Sequence, residues 1–98
     1  MEIEFHPDAV SELREATLYY QTQQVGLGER FLSTVQETLT GISNFPESYP
    51  TVTSNIRQCK VSHFPYAIVY RVQVNFIQII ALAHSRRQPQ YWSGRGKR

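Results

Sequence analysis

Two helical stripes of apolar side chains follow a short alternating segment at the start of the chain. Residues 2–5 alternate polar and apolar side chains, which predicts a brief half-buried strand, and Pro7 with Asp8 favours a helix start directly after it. The polar residues 21–24, followed by Gly26 and Gly28, break the helix between the two stripes, so the helices are predicted to form an antiparallel hairpin. The stripes are Val10, Leu13, Ala16 and Tyr20, then Leu27, Phe31, Val35, Leu39 and Ile42.

The second half of the chain changes from helical spacing to alternation, which is typical of strands. Residues 44–50 hold two prolines and are predicted to be a loop of turns. Alternation begins at Ile56, and Pro65 separates this strand from residues 66–72; a third apolar run covers residues 76–83. Three strands with short links predict an antiparallel meander whose apolar face the hairpin must cover. We therefore predict an α+β fold of order β-α-α-β-β-β, with a helical hairpin packed on a mainly antiparallel sheet.

The length of the chain limits how it can be organised. A chain of 98 residues can bury one hydrophobic core but is too short for two. We predict one domain over residues 1–92 and a flexible basic tail over residues 93–98. The richest apolar run is too short to cross a membrane, the start of the chain does not resemble a secretory signal, and the single cysteine, Cys59, suits a reducing compartment. The expected location is the cytoplasm.

Charge is distributed unevenly along the chain. Residues 1–47 hold all eight acids and two of the bases, a net charge of −6, whereas residues 48–98 hold eight bases and no acid, a net charge of +8. Such asymmetry favours an anionic partner for the second half, either a nucleic acid or an acidic protein. The alternative interpretation is a solubilising surface whose charges happen to be segregated.

Two groups of residues are candidates for an anion-binding site. The first lies just beyond the last strand, where a rigid base would hold the guanidinium groups of Arg86 and Arg87 beside the aromatic rings of Tyr91 and Trp92. The alternative is that the arginines are solvated while the aromatic rings seal the end of the sheet. The second group, on the first two strands of the meander, would extend the basic surface or simply protect an edge strand; it comprises Arg57, Lys60 and Arg71.

Metal and conventional hydrolase chemistry are not predicted. His6, His63 and His84 have no ligand partners at metal-binding spacing, so we expect neither a metal nor another cofactor. His63 shares a predicted strand face with Cys59, and we interpret the first as a hydrogen-bonded core histidine and the second as a small buried hydrophobe. Phosphate-binding glycine loops, nucleophile elbows and paired carboxylates in the basic half are not found.

The chain resembles the RelE/ParE superfamily of toxins over nearly its whole length. The resemblance rests on the order of the elements, on the opening at residues 5–9, on residues 59–61, and on the segments HFPYAIVYR at 63–71 and ALAHSRRQPQYW at 81–92. It implies the toxin component of a type II toxin–antitoxin system, which arrests growth and is neutralised by a cognate antitoxin in a hetero-oligomer.

The resemblance implies two activities within one fold. RelE-like members cut messenger RNA on the ribosome, which needs proton-transfer groups and cations, whereas ParE-like members poison DNA gyrase without hydrolysis. The residues that match the nuclease set are Lys60, Arg86 and Tyr91, with His84 as an alternative to the tyrosine. However, Gln58 and Ala67 stand where RelE-like enzymes carry a lysine and an arginine. Features around Pro65 and residues 86–92 are closer to the ParE-like branch and to plasmid-stabilisation proteins.

Our leading hypothesis from sequence is therefore a cofactor-independent gyrase inhibitor whose contact residues include Arg86, Arg87, Tyr91 and Trp92, supported by the basic residues of the meander. The second hypothesis is a ribosome-dependent, metal-independent endoribonuclease acting on messenger RNA. The third is a degenerate member that is no longer toxic and serves as an antitoxin-binding module. None of the three involves a membrane.

Overall fold

The structure, a computed structural model, describes residues 1–95 and shows two helices and five strands in them. Gly96, Lys97 and Arg98, at the end of the predicted tail, lie outside the described residues. The predicted α+β class and the helical hairpin on a mainly antiparallel sheet are confirmed. The elements are β1 (Glu2–Phe5), α1 (Pro7–Gln23), α2 (Leu27–Asn44), β2 (Thr51–Thr53), β3 (Ile56–Lys60), β4 (Tyr66–Val72) and β5 (Phe76–His84).

The strands form one mixed sheet in the order β1-β5-β4-β3-β2. β1 runs parallel to β5, with Glu2 opposite Phe76 and Phe5 opposite Ile79, and the other neighbouring strands are antiparallel. Because β1 ends at Phe5, it covers the outer edge of β5 only as far as Ile79. The outer edge of residues 80–84 must therefore find its hydrogen-bond partners elsewhere.

β5 is apolar along most of its length because both of its faces are buried. Its pairing with β4 shifts register between Val69 and Tyr70, where Ala81 and Ile79 are the respective partners, so that Ile80 is the extra residue of a β-bulge. Leu82 and Ile79 pack in the cluster under the helices, whereas Ile80 and Ala81 pack in a second cluster on the opposite side. One strand thus supplies both apolar clusters.

The helical hairpin begins with a side-chain cap and covers one side of the sheet. His6 Nδ1 accepts a hydrogen bond of 3.0 Å from the Asp8 backbone N–H at the start of α1. Ala9, rather than Val10, occupies the first buried position of this helix, and Val10 is 37% exposed, so the predicted stripe was wrong by one residue at its start. The buried apolar side chains of the hairpin are Ala9, Ala16, Phe31, Val35 and Ile42.

Two details of the sheet region differ from the prediction. Thr51–Thr53 forms an additional short strand at the sheet edge, and three residues are too few to show a periodicity in the sequence. His63 is exposed and has a φ of 69° in the turn after β3, so its interpretation as a core histidine was wrong. The alternation in the sequence continues beyond Lys60, but the strand does not. Within residues 1–95, no helix is long and apolar enough to cross a membrane.

Candidate functional site

The side of the sheet that faces away from the helices is partly covered by residues 85–95, which we call the C-terminal segment. Trp92 of this segment is 3% exposed and packs in the second apolar cluster with Ile56, Val69, Ile80 and Ala81. A buried indole contributes a large apolar area, so Trp92 holds the segment on the sheet. This agrees with the packing interpretation of Trp92, while its role as a target contact stays a prediction.

A cleft of about 400 Å³ lies between the C-terminal segment and the ends of the meander strands. Lys60 enters it from β3, and Arg87 from the start of the segment. None of the described residues that line the cleft is an aspartate or a glutamate, so an anion entering it meets two cations and no opposing carboxylate. The lining includes Gln58, Lys60, Tyr66, Ala67, His84, Arg87 and Tyr91.

The predicted second basic group does not gather at this cleft. Lys60 lies opposite Ala67, whereas Arg71 lies opposite Ile56, four residues or about 13 Å further along β4. Arg71 instead lines a separate depression with Asn55 and Trp92. The Arg57 guanidinium donates hydrogen bonds to the backbone carbonyl oxygens of Glu47 at 3.2 Å and Tyr49 at 2.6 Å. Arg57 therefore has a structural partner in the loop before β2, and the structure brings only Lys60 of this group to the cleft.

Tyr91 has its hydroxyl group engaged within the protein. Its phenol donates a hydrogen bond of 2.9 Å to Glu12 Oε2, and the Arg87 guanidinium lies 3.7 Å from the centre of its ring. Burial, together with the hydrogen bond and the charge of Glu12, raises the pKa of Tyr91 to about 12. The phenol is therefore neutral at physiological pH and is unsuited to accept a proton from a substrate.

Glu12 and Arg95 form a forked ion pair between α1 and the C-terminal segment. Arg95 Nη1 donates to Glu12 Oε1 at 3.1 Å and Nη2 donates to Oε2 at 2.9 Å, which is the bidentate geometry that guanidinium and carboxylate groups favour. The two side chains are 16% and 13% exposed. Arg95 Nε also lies 3.5 Å from Asp8 Oδ2. The hydrogen bonds with Glu12 raise the pKa of Arg95, although burial alone would lower it.

The same two side chains serve the part of β5 that β1 leaves uncovered. The Leu82 backbone N–H donates to Glu12 Oε1 at 3.0 Å, and Arg95 Nη1 donates to the Ile80 carbonyl oxygen at 3.1 Å. A strand edge without a partner strand leaves backbone groups to be satisfied. Here the carboxylate and the guanidinium take the place of the missing strand.

Sequence reasoning missed Glu12 and assigned Arg95 to the flexible tail. Glu12 is three residues after Ala9 and four before Ala16, both buried, so helical spacing placed a carboxylate on the packed face of α1. That signal was available, because a carboxylate on such a face is rarely left without a partner. The structure shows Arg95 in contact with the domain, while the predicted boundary at residue 92 and the flexibility of the tail stay predictions.

Arg86 and His84 have different surroundings from Arg87. His84 Nδ1 accepts a hydrogen bond of 3.0 Å from the Arg86 backbone N–H, and its ring meets the Tyr66 ring edge to face at 5.0 Å. When the ring is neutral, its proton is therefore on Nε2. The Arg86 side chain is exposed and lies outside the cleft lining. Of the two adjacent arginines, it is Arg87 that faces the cleft.

The family of the chain follows from comparison with known proteins. A family model described as the ParE toxin of the type II toxin–antitoxin system parDE matches residues 3–89. The chain belongs to this family. Among solved structures, one titled as the chromosomal ParDE toxin–antitoxin system from P. aeruginosa matches with a TM-score of 0.63 and 19% identity, covering 86% of this chain and 95% of that one.

A second solved structure, titled as the YoeB dimer from Staphylococcus aureus, matches this ParE-family chain with a TM-score of 0.60 and 21% identity. It covers 86% of this chain and 95% of the other. At these identities both likenesses show the fold. The comparison with curated proteins finds no match.

The cleft of this ParE-family protein contains the two positions at which the resemblance implies cations in RelE-like members. Gln58 and Ala67 both line the cleft, so neither brings a cation to it. Of the predicted nuclease set, Lys60, His84 and Tyr91 line the cleft, and Arg86 does not. Within residues 1–95, the structure has no group of three or more His, Cys, Asp or Glu side chains that could hold a metal ion.

Proposed function

We propose that this protein is the toxin of a type II toxin–antitoxin pair and that it arrests growth by inhibiting DNA gyrase, without hydrolysing a substrate itself. The cleft that holds Lys60 and Arg87, with the exposed Arg86 beside it, is the proposed contact surface for gyrase. Membership of the ParE family supports the toxin class of this protein, and the residues of the cleft support gyrase as its target.

The state of Tyr91 is the observation that carries this proposal. RNA cleavage through a 2′-hydroxyl needs a group that accepts a proton near neutral pH. The Tyr91 phenol instead donates its hydrogen bond to Glu12 and has a pKa of about 12. With Gln58 and Ala67 beside it, the cleft offers cations for binding and few groups for proton transfer. Such a surface is suited to hold an anionic partner rather than to cut one.

A cognate antitoxin is the second proposed partner. The related P. aeruginosa structure is titled as a ParDE toxin–antitoxin system, which supports this partner for the present chain. The hairpin also exposes apolar side chains, among them Leu18 at 60%, Val25 at 91% and Leu32 at 38% exposure. An amphipathic segment of an antitoxin would cover such residues. We propose that the pair assembles in the cytoplasm, where the single Cys59 stays reduced.

A RelE-like endoribonuclease is the second candidate function. Lys60, His84, Arg87 and Tyr91 all line one cleft, which would place cations and a histidine around a phosphodiester. In that case His84 Nε2, rather than Tyr91, would be the available proton donor. A third candidate, an antitoxin-binding module without toxicity, requires only that the hairpin and sheet remain intact.

Two assays with purified protein distinguish these functions. We expect inhibition of gyrase supercoiling at protein concentrations that leave ribosome-bound messenger RNA intact. Cleavage of the messenger with normal supercoiling would instead establish the nuclease. Absence of both activities and of growth arrest, with antitoxin binding preserved, would establish the binding module. A Lys60→Gln variant tests the cleft in whichever assay responds.

A further inference from the structure

The C-terminal segment is attached to the domain mainly by side chains. In the part of the chain that the structure describes, the backbone N–H groups of Arg87, Tyr91, Ser93 and Arg95 bond to carbonyl oxygens three residues earlier. These are local turns, and they do not tie the segment to a strand. At the start of the segment, the Ser85 backbone N–H donates to the Pro65 carbonyl oxygen at 2.8 Å. Its attachments to the rest of the domain include the packing of Trp92, the hydrogen bond from Tyr91 and the ion pair of Arg95.

Two of the polar attachments, the hydrogen bond from Tyr91 and the ion pair of Arg95, end on one residue of α1; Arg95 also contacts the Ile80 carbonyl oxygen and Asp8. Glu12 receives the Tyr91 phenol at 2.9 Å and the forked Arg95 guanidinium at 2.9 and 3.1 Å. It also receives the Leu82 backbone N–H at 3.0 Å, so both carboxylate oxygens are in use. A single carboxylate thus links the helix, the uncovered edge of β5 and the segment.

We propose that Glu12 and Arg95 form an intramolecular clamp that fixes the C-terminal segment, and that Glu12 is a positioning residue for the cleft. The Tyr91 ring is held by its hydroxyl group, and the Arg87 guanidinium rests 3.7 Å from the centre of that ring. The clamp therefore determines where Arg87 lies in the cleft. This second step rests on the proposed function, because it assumes that Arg87 contacts the target.

Glu12→Gln would disturb the clamp without changing the size of the side chain at this position. The single carbonyl oxygen of the glutamine can accept a hydrogen bond either from the Leu82 N–H or from Tyr91 and Arg95, but not from both. The amide N–H group of the glutamine then faces an N–H donor of Arg95. Arg95→Gln would remove the positive charge and the forked hydrogen bonds together. Glu15→Gln is the matched control, because Glu15 lies on the same helix, is exposed, and makes the same change of charge.

Trp92 reports directly on the attachment of the segment, because it is the single tryptophan of the chain and is 3% exposed. In purified Glu12→Gln and Arg95→Gln proteins, we expect Trp92 emission at longer wavelength and acrylamide quenching raised about twofold or more. The far-ultraviolet circular dichroism of the helices and strands should be retained. Glu15→Gln should behave as the wild type does. Unchanged Trp92 emission and quenching in both clamp variants would overturn the clamp.

Milder variants and a gyrase assay distinguish an error in the proposed clamp from an error in the proposed function. If Glu12→Gln unfolds, Tyr91→Phe and Arg95→Lys are the milder variants, since each removes only part of the hydrogen bonding to Glu12. Both should give acrylamide quenching of Trp92 between that of the wild type and that of an exposed tryptophan. Wild-type quenching in both would overturn the clamp. Gyrase inhibition is measured on the same folded proteins. If Trp92 becomes exposed while inhibition is unchanged, the clamp stands and the positioning role is wrong. If the wild type itself does not inhibit gyrase, the proposed function is wrong and the fluorescence result still decides the clamp.

Discussion

Neighbouring side chains in the C-terminal segment have different surroundings, and Arg86 and Arg87 show this difference most clearly. Arg86 is exposed and its backbone N–H bonds to His84, whereas the Arg87 guanidinium lies over the Tyr91 ring and lines the cleft. A guanidinium held on an aromatic ring is pre-ordered to receive an anion, so less rotamer entropy is lost on binding.

We predict that Arg86→Ala/Arg87→Ala loses most of its toxicity while it stays folded. Exposed substitutions usually change the free energy of unfolding by about 0.5 kcal/mol or less, and removal of the Arg87 guanidinium from the Tyr91 ring adds about 0.5–1 kcal/mol. Removing a charged hydrogen bond to the target weakens binding by on the order of 1–3 kcal/mol. Growth after expression without antitoxin, together with the melting temperature, measures both effects.

The single variants serve as matched controls for this prediction. Because Arg87 faces the cleft, Arg87→Ala should account for more of the loss than Arg86→Ala. A soluble double variant with wild-type toxicity would remove both arginines from the site. A double variant that fails to fold would mean that they act in stability instead.

A second prediction at this scale concerns the stability of the protein in alkali. Tyr91 and Tyr70 both have pKa values raised to about 12, from 10.0 in an unperturbed tyrosine, mainly by burial. A raised pKa in the folded state stabilises the fold fully below the unfolded-state value, and this contribution is lost as the pH rises through the folded-state value. The free energy of unfolding should therefore fall between about pH 10 and pH 12.

Denaturant unfolding followed by circular dichroism measures this loss as a function of pH. Tyr91→Phe should be less stable than the wild type at neutral pH, because Glu12 loses a hydrogen-bond donor, and should lose less of its stability between about pH 10 and pH 12. If the stability of Tyr91→Phe falls as steeply with rising pH as that of the wild type, the loss of stability in alkali does not come from the ionisation of Tyr91.

At the scale of elements, the helical hairpin depends on close contact at Gly28. The Gly28 backbone N–H donates to Gln21 Oε1 at 3.0 Å, which joins the start of α2 to α1. A Cβ atom at this position would lie 2.7 Å from Gln21 Oε1 and 2.9 Å from the Thr17 carbonyl oxygen. The backbone oxygen cannot move away without displacing α1.

We therefore predict that Gly28→Ala destabilises the fold by about 1–3 kcal/mol, the usual range for overpacking. The expected change in the free energy of unfolding is opposite to that from helix propensity, because a helix interior generally favours alanine over glycine by about 1 kcal/mol. Gly94→Ala is the control, because a Cβ there would have no atom within 4 Å. Denaturant midpoints measure the difference, and a Gly28→Ala protein more stable than the wild type would show that the hairpin can relax.

Local patterns predicted most elements of this fold, because helices and buried strands repeat over many residues. The stripe from Phe31 to Ile42 and the apolar run of β5 are examples. Thr51–Thr53 was missed, since a strand of three residues has no measurable period. The stripe of α1 was placed one residue off at its start, because Ala9 and Val10 are both apolar and only packing distinguishes them.

The candidate site was less predictable because it depends on contacts between distant parts of the chain. The cations at the end of β5 could be located from sequence, since they directly follow an apolar strand. The pair of Glu12 and Arg95 is separated by 83 positions and exists because β1 leaves the edge of β5 uncovered. Likewise, only the register of the sheet shows that Arg71 lies away from Lys60.

At the scale of the whole molecule, the two oppositely charged halves of the chain present different surfaces to partners. The first half, with a net charge of −6, forms the hairpin, and the second half, with a net charge of +8, forms most of the sheet and the cleft. Two partners can therefore be recognised by different means. The apolar side chains of the hairpin suit an antitoxin segment, and the cations of the cleft suit an acidic target.

The last prediction follows from this division. A C-terminal fragment of the cognate antitoxin should bind the protein and raise its melting temperature. A ligand that binds the folded state alone stabilises it by about 2.7 kcal/mol when its concentration is about 100 times its Kd. For a domain of this size, that corresponds to a rise in melting temperature on the order of 10–20 °C.

A scrambled fragment of the same composition is the control for charge alone. Binding should weaken in Leu18→Gln/Leu32→Gln, which changes the hairpin, and persist in Lys60→Gln, which changes the cleft. If neither the fragment nor the intact antitoxin changes the melting temperature, the assignment of an antitoxin partner to this chain is wrong.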